Sequence, residues 1–171
     1  MSIKQFNGEW VAQEDRILFR FNTTEGQEFR LWFTRHIVKS LIEGSHTLGV
    51  RALEKSHPPQ VAQAMQEFQQ QSVAQQLNYG ATYEPQNELP LGDAPALVTG
   101  LRITLDAPQV VIDFETQQGQ MVHLNINEAL MHTMVSLLDK LQAHAQWQLN
   151  AVASAAAPVA PGGGPASPLM H

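Results

Sequence analysis

Polar and apolar side chains alternate with a period of two in two separate stretches of this chain, and each stretch then changes to a helical period. In the first, Ile17, Phe19 and Phe21 alternate with Arg16, Leu18 and Arg20. In the second, Val110, Ile112 and Phe114 alternate with Gln109, Val111 and Asp113. Successive side chains of a strand point to opposite faces, so both stretches predict half-buried strands. Phe29, Leu31 and Phe33, and Val122, Leu124 and Ile126, continue the apolar faces beyond TTEGQ and TQQGQ. The glycine in each of those segments can supply the positive φ of a hairpin turn. Thr34 and Asn127 then stand as N-caps. Ile37, Val38, Leu41 and Ile42 form one helical stripe, and Leu130, Met131, Met134, Val135, Leu138 and Leu141 form another. The second helix is expected to reach about Trp147. The first is expected to bend or end early, because Gly44 and Gly49 each cost it about 1 kcal/mol relative to Ala.

Residues 16–42 lie on residues 109–135 without a gap, at a constant offset of 93. Phe21 meets Phe114, Thr23 meets Thr116, Gly26 meets Gly119, Gln27 meets Gln120 and Leu31 meets Leu124. A further strand precedes each hairpin. Leu97, Leu101, Ile103 and Leu105 mark one, closed by Pro108, and Ile3 to Val11 is its counterpart. The chain therefore reads as an α+β protein of two repeated strand–hairpin–helix units, about 3–54 and 97–147, in one domain over residues 1–150. Two antiparallel hairpin sheets, backed by helices at 35–54 and 128–147, are expected. An insertion helix over 59–78 opens at Pro58 and Pro59. It offers the apolar face Val61, Ala64, Met65 and Phe68, with eight glutamines as its solvated surface, and is expected to pack at one edge. Residues 80–96 are a Pro/Gly connection. The Ala/Pro/Gly tail, 151–171, is expected to be disordered.

Composition removes several function classes. With no cysteine among 171 residues there is no disulfide framework, thiolate metal site or cysteine nucleophile. No apolar run approaches the roughly 18 residues of a membrane span, and the N-terminal residues lack the apolar core of a signal peptide. The expectation is a cytoplasmic chain with no membrane partner. His36, His46 and His57 are ten and eleven apart, and His132 and His144 twelve apart, so none share a chelating helix turn. No nucleophile elbow or phosphate-binding glycine loop is present. Asp113 and Glu115 share one strand face, where a solvated surface is the simple reading. No metal, cofactor or catalytic residue is assigned. A small enzyme without a recognisable motif stands as a third reading only.

Charge is uneven. Residues 1–57 carry eight Lys/Arg against seven Asp/Glu, whereas residues 58–171 carry two against nine, within a net charge of −6. Three of these cations fall on the outward sheet face, which bears Arg16, Arg20, Arg30 and Trp32. Cations beside an exposed ring suit single-stranded DNA or RNA, through phosphate contacts and base stacking. The second unit has Gln109, Asp113, His123 and Asn125 at the matching positions. The alternative is internal pairing of Arg20 and Arg30 with Asp113 and Glu115, or a dimer contact covering Leu18, Trp32 and Val111.

The segment VIDFETQQGQMVHLNINEALMHTMVSLLDKL, residues 111–141, with its looser partner at 16–42, resembles the repeat of PUR-alpha and whirly-type proteins. That resemblance covers under half of the chain and rests on topology. It implies two repeats clasped into one body and a sheet face that binds single-stranded nucleic acid. Taken with the acidity of the chain, the leading expectation is a non-enzymatic binding or assembly module acting through the outer sheet face. Its partner is a second copy (a homodimer) or another protein, with nucleic acid on Arg16, Arg20, Arg30 and Trp32 as the alternative.

Overall fold

The computed structural model describes residues 1–76 and 81–149; the tail expected to be disordered lies outside the described residues. In order these form β1 (Ile3–Val11), β2 (Arg16–Thr23), β3 (Glu28–Phe33), α1 (Arg35–Glu54), α2 (Pro59–Gln76), β4 (Ala96–Asp106), β5 (Gln109–Thr116), β6 (Met121–Asn127) and α3 (Glu128–His144).

The repeat is visible down to single hydrogen bonds. In each hairpin turn a threonine Oγ1 accepts from the backbone N–H four residues on: Thr23 from Gln27 at 3.2 Å, Thr116 from Gln120 at 3.1 Å. Gly26 and Gly119 hold φ of +87° and +79°, which a side chain would oppose. Each helix is capped alike. Thr34 Oγ1 accepts from the Ile37 N–H at 3.4 Å, and Asn127 Oδ1 from the Leu130 N–H at 2.8 Å.

The two hairpins do not form separate sheets, as the alternation alone led us to expect. One six-stranded sheet runs in the order β1-β2-β3-β4-β5-β6. It is antiparallel except at its centre, where β3 and β4 run parallel over Leu31–Ala96 and Trp32–Leu97. Strand periodicity carries no information on which edges meet, so this junction was not readable. The core lies on one face. Phe19 stacks on Phe33 at 4.8 Å, and Phe33 meets Phe114 at 5.4 Å, joining the units through their rings.

The helices are exchanged between units: α1 lies against β4, and α3 lies chiefly against β1. The expected early end of α1 is not observed. It is continuous over twenty residues, because its two glycines are used for close approach. A Cβ on Gly44 would sit 3.0 Å from Ile103, and one on Gly49 would collide with the Gln66 amide. At the other end of the chain, α3 stops at His144 rather than Trp147. Trp147 instead turns back, and its indole N–H donates to Asp15 Oδ1 at 2.7 Å.

The insertion helix α2 lies over α1 and α3, not at an edge of the sheet, and it is rotated from expectation. It buries Ala62 and Gln66, while Val61 is 44% and Phe68 71% exposed. Gln70 holds this orientation. Its Nε2 donates to Ser136 Oγ at 2.6 Å and to the His132 carbonyl at 3.2 Å, and its Oε1 lies 2.6 Å from His132 Nδ1.

Candidate binding site

The four residues singled out on the outer sheet face come from adjacent strands in register. Arg20 opposes Arg30, and Leu18 opposes Trp32. Two of the four act on each other: the Arg16 guanidinium lies 4.5 Å from the centre of the Trp32 ring, a cation–π pair. Arg16 also bonds Glu14 at 2.5 Å.

The other two cations are engaged by their own chain. Arg20 donates to Asn7 Oδ1 from Nε (3.0 Å) and Nη2 (2.5 Å), and its guanidinium lies 5.0 Å from the Tyr83 ring centre. Arg30 donates from Nε to Glu28 Oε1 at 2.7 Å. The Glu28 side chain is fully buried, and its second oxygen accepts the Gln86 N–H at 2.8 Å. Burial pushes the Glu28 carboxyl up, but the bonds from Arg30 and Gln86 and the charge of Arg30 outweigh it and leave the pKa lowered. Arg20 and Arg30 do not pair with Asp113 and Glu115. Asp113 is taken by His123, at 2.6 Å across the β5–β6 ladder.

The connection between the units closes part of this face, which sequence reasoning missed. Asn22 Nδ2 donates to the Glu84 carbonyl at 2.8 Å, and the Glu28 N–H to the Glu88 carbonyl at 2.8 Å. Residues 83–88 thus lie along the Asn22–Glu28 end of β2 and β3. Tyr83 is tucked beneath Arg20. Burial, then the charge of Glu28, pushes its phenol pKa up, so the ring stays neutral. A Pro/Gly segment gives no periodic signal for such a contact; the one tyrosine among its polar residues was the available hint.

What remains outward on the sheet is the half-buried row Leu18, Trp32 and Leu97, with Val111 on β5. On the opposite side of the molecule, the larger exposed apolar surface is on α2. Val61, Ala64, Met65 and Phe68 line a shallow groove with Gln60 and Gln69. Beside it, Phe68 and Val73 face Pro108 and Ala129 across a second shallow depression of about 520 Å³. Beneath α2 lies a smaller cavity of about 180 Å³, bordered by Ser45, Gln66 and His132. Ser45 Oγ, Gln66 Oε1 and His132 Nε2 are buried there without a hydrogen-bond partner.

Between β1 and α3 is a cavity of about 290 Å³, lined by Phe6, Gly8, Tyr83, Thr133, Leu137 and Lys140 among others. No carboxylate or imidazole is among the described residues that line it. No group of three or more His, Asp or Glu side chains among the described residues is placed to hold a metal ion. No described helix is long and apolar enough to cross a membrane.

No protein-family model, curated protein or solved structure matches this chain.

Proposed function

We propose that this chain is a non-enzymatic protein-binding and assembly module, with the exposed stripe of α2 as its principal contact and the outer sheet row as a lesser one. The observation that carries this is the orientation of α2. A helix that turns glutamines inward and leaves a phenylalanine 71% exposed presents the kind of apolar surface that marks a protein contact. The sheet face supports the reading more weakly, since Leu18, Trp32 and Val111 are already half-buried.

Single-stranded nucleic acid on Arg16, Arg20, Arg30 and Trp32 is the competing proposal. Against it stand the internal partners of all three arginines and the net charge of −6. Phosphates would have to displace Glu14, Asn7 and Glu28 in turn.

A photo-reactive phenylalanine analogue at position 68, introduced in the native cell, tests the assignment. Discrete protein adducts are expected from position 68, suppressed by Val61→Asp with Met65→Asp, and absent from position 75 on the same helix. No adduct from position 68 would refute the α2 assignment. In parallel, labelled single-stranded DNA and RNA should show no anisotropy change at low salt, where phosphate binding is strongest. Salt-sensitive binding lost in Trp32→Ala would replace this proposal with the nucleic-acid one.

A further inference from the structure

We infer that the partner seated on α2 is a second copy of this chain, in an antiparallel α2–α2 pair; this rests on the assignment of α2 as a contact surface.

The stripe is held outward by specific contacts. Gln70 is bonded to Ser136 and to His132 on α3, and the Gln66 amide fills the space left by Gly49 on α1. Turning Val61 and Phe68 inward would break the first set and drive the glutamines out of the second.

Charge selects the occupant. From Pro59 to Gln76 the helix bears a single charged side chain, Glu67. A basic or acidic partner would find almost no counter-charge on such a face. Two copies, each of net charge −6, repel one another across most surfaces, and a neutral face is where they can meet at least electrostatic cost.

Spacing agrees with a twofold pair. Val61 and Phe68 stand two turns apart, roughly 10.5 Å along the axis, with Ala64 and Met65 midway. An antiparallel partner centred on that midpoint lays each Phe68 ring against Val61 and the small Ala64 of the other helix. Large side chains then face small ones in both directions, as an isologous contact requires. The helix is about 27 Å long, and its stripe alone falls short of the roughly 800 Å² per partner of a standard stable interface. The pair should therefore be a concentration-dependent dimer in the micromolar range, extended by the Phe68–Pro108 depression.

The test is sedimentation equilibrium of the full chain between about 1 and 500 µM. The expected result is a mass rising from 18.9 kDa toward twice that value. Phe68→Glu should weaken the dimer at least tenfold with an unchanged circular dichroism spectrum, since this side chain is mostly exposed. Trp32→Ser should leave it intact. Because the chain has no cysteine, Ala64→Cys supplies a lone thiol near the twofold axis. It should form a disulfide-linked dimer much faster than Ser72→Cys, and equal rates would overturn the antiparallel register. A dimer abolished by Trp32→Ser and untouched by Phe68→Glu overturns the inference in favour of the sheet face. A monomer at every concentration overturns it too. If position 68 still forms adducts with a different protein in the cell, the α2 contact stands and only self-pairing falls; without adducts, both fall.

Discussion

Arg30→Met measures whether the sheet-face arginines are structural or free. Its guanidinium donates at 2.7 Å to a carboxylate whose side chain has no solvent exposure, while Arg30 itself is 28% exposed. A hydrogen bond to a charged group contributes about 1.5–3 kcal/mol, and the solvent reaching Arg30 argues for the middle of that range, about 2 kcal/mol. Glu28 keeps the Gln86 N–H in the variant, which limits the loss. In a protein of this size about 2 kcal/mol corresponds to a fall in Tm of roughly 4–8 °C. The assay is urea denaturation of wild type, Arg30→Met, Glu28→Gln and the double variant, with the coupling energy taken from the cycle. A coupling of about 1–2 kcal/mol is expected. The pKa of Glu28 is lowered in the fold, so the stability it contributes is full above the unfolded-state value near 4.3. That contribution is lost as pH falls through the folded value. The cost of Arg30→Met should accordingly shrink in acid. Additive single effects, or an Arg30→Met protein as stable as wild type, would refute the reasoning. Arg30 would then be available to an anion, and the nucleic-acid proposal would gain its missing cation.

Three other expectations are simpler. Gly49→Ala should cost about 1–3 kcal/mol, as overpacking does, because its Cβ would collide with the Gln66 amide; Gln66→Ala in the same chain should recover part of the loss in thermal unfolding. Removing the caps should hurt α3 more than α1, with Asn127→Ala costing about 1 kcal/mol and Thr34→Ala less, in keeping with bonds of 2.8 and 3.4 Å. Asp15 accepts from the indoles of Trp147 and Trp10 and pairs with Arg35, and these bonds, that of Trp147 first, lower its pKa. Its contribution should hold above the unfolded value near 3.9 and vanish as pH falls through the folded value. Asp15→Asn should therefore be less stable than wild type in urea at pH 7, with the gap closing in strong acid.

The repeat was legible because its signal is local. Alternation, the threonine and glycine of each turn, and the caps Thr34 and Asn127 are all written within a few residues of where they act. The elements that were misread depend on contacts far along the chain. Gln70 reaches His132 and Ser136, and Asn22 reaches Glu84; neither gives a periodic trace. Helical periodicity located the stripe Val61, Ala64, Met65 and Phe68 correctly, yet it cannot say whether a stripe faces in or out. That was decided by glutamines with partners on α3 and by a glycine on α1 that makes room for one of them. Strand register sets Arg16, Arg20, Arg30 and Trp32 on one face. Their engagement by Glu14, Asn7 and Glu28 follows from strand register and from the path of residues 83–88, neither of which is encoded locally.

The exchange of helices between the units has a consequence for how the chain comes apart. Because α1 covers β4 and α3 covers β1, losing either half strips the covering from a strand of the other. Residues 1–76 produced alone would leave the inward side of β1 bare, and residues 81–149 alone would do the same to β4. Cleavage between residues 76 and 81 should leave two fragments gripping each other. The same two pieces, expressed separately, should regain the complete fold only on mixing.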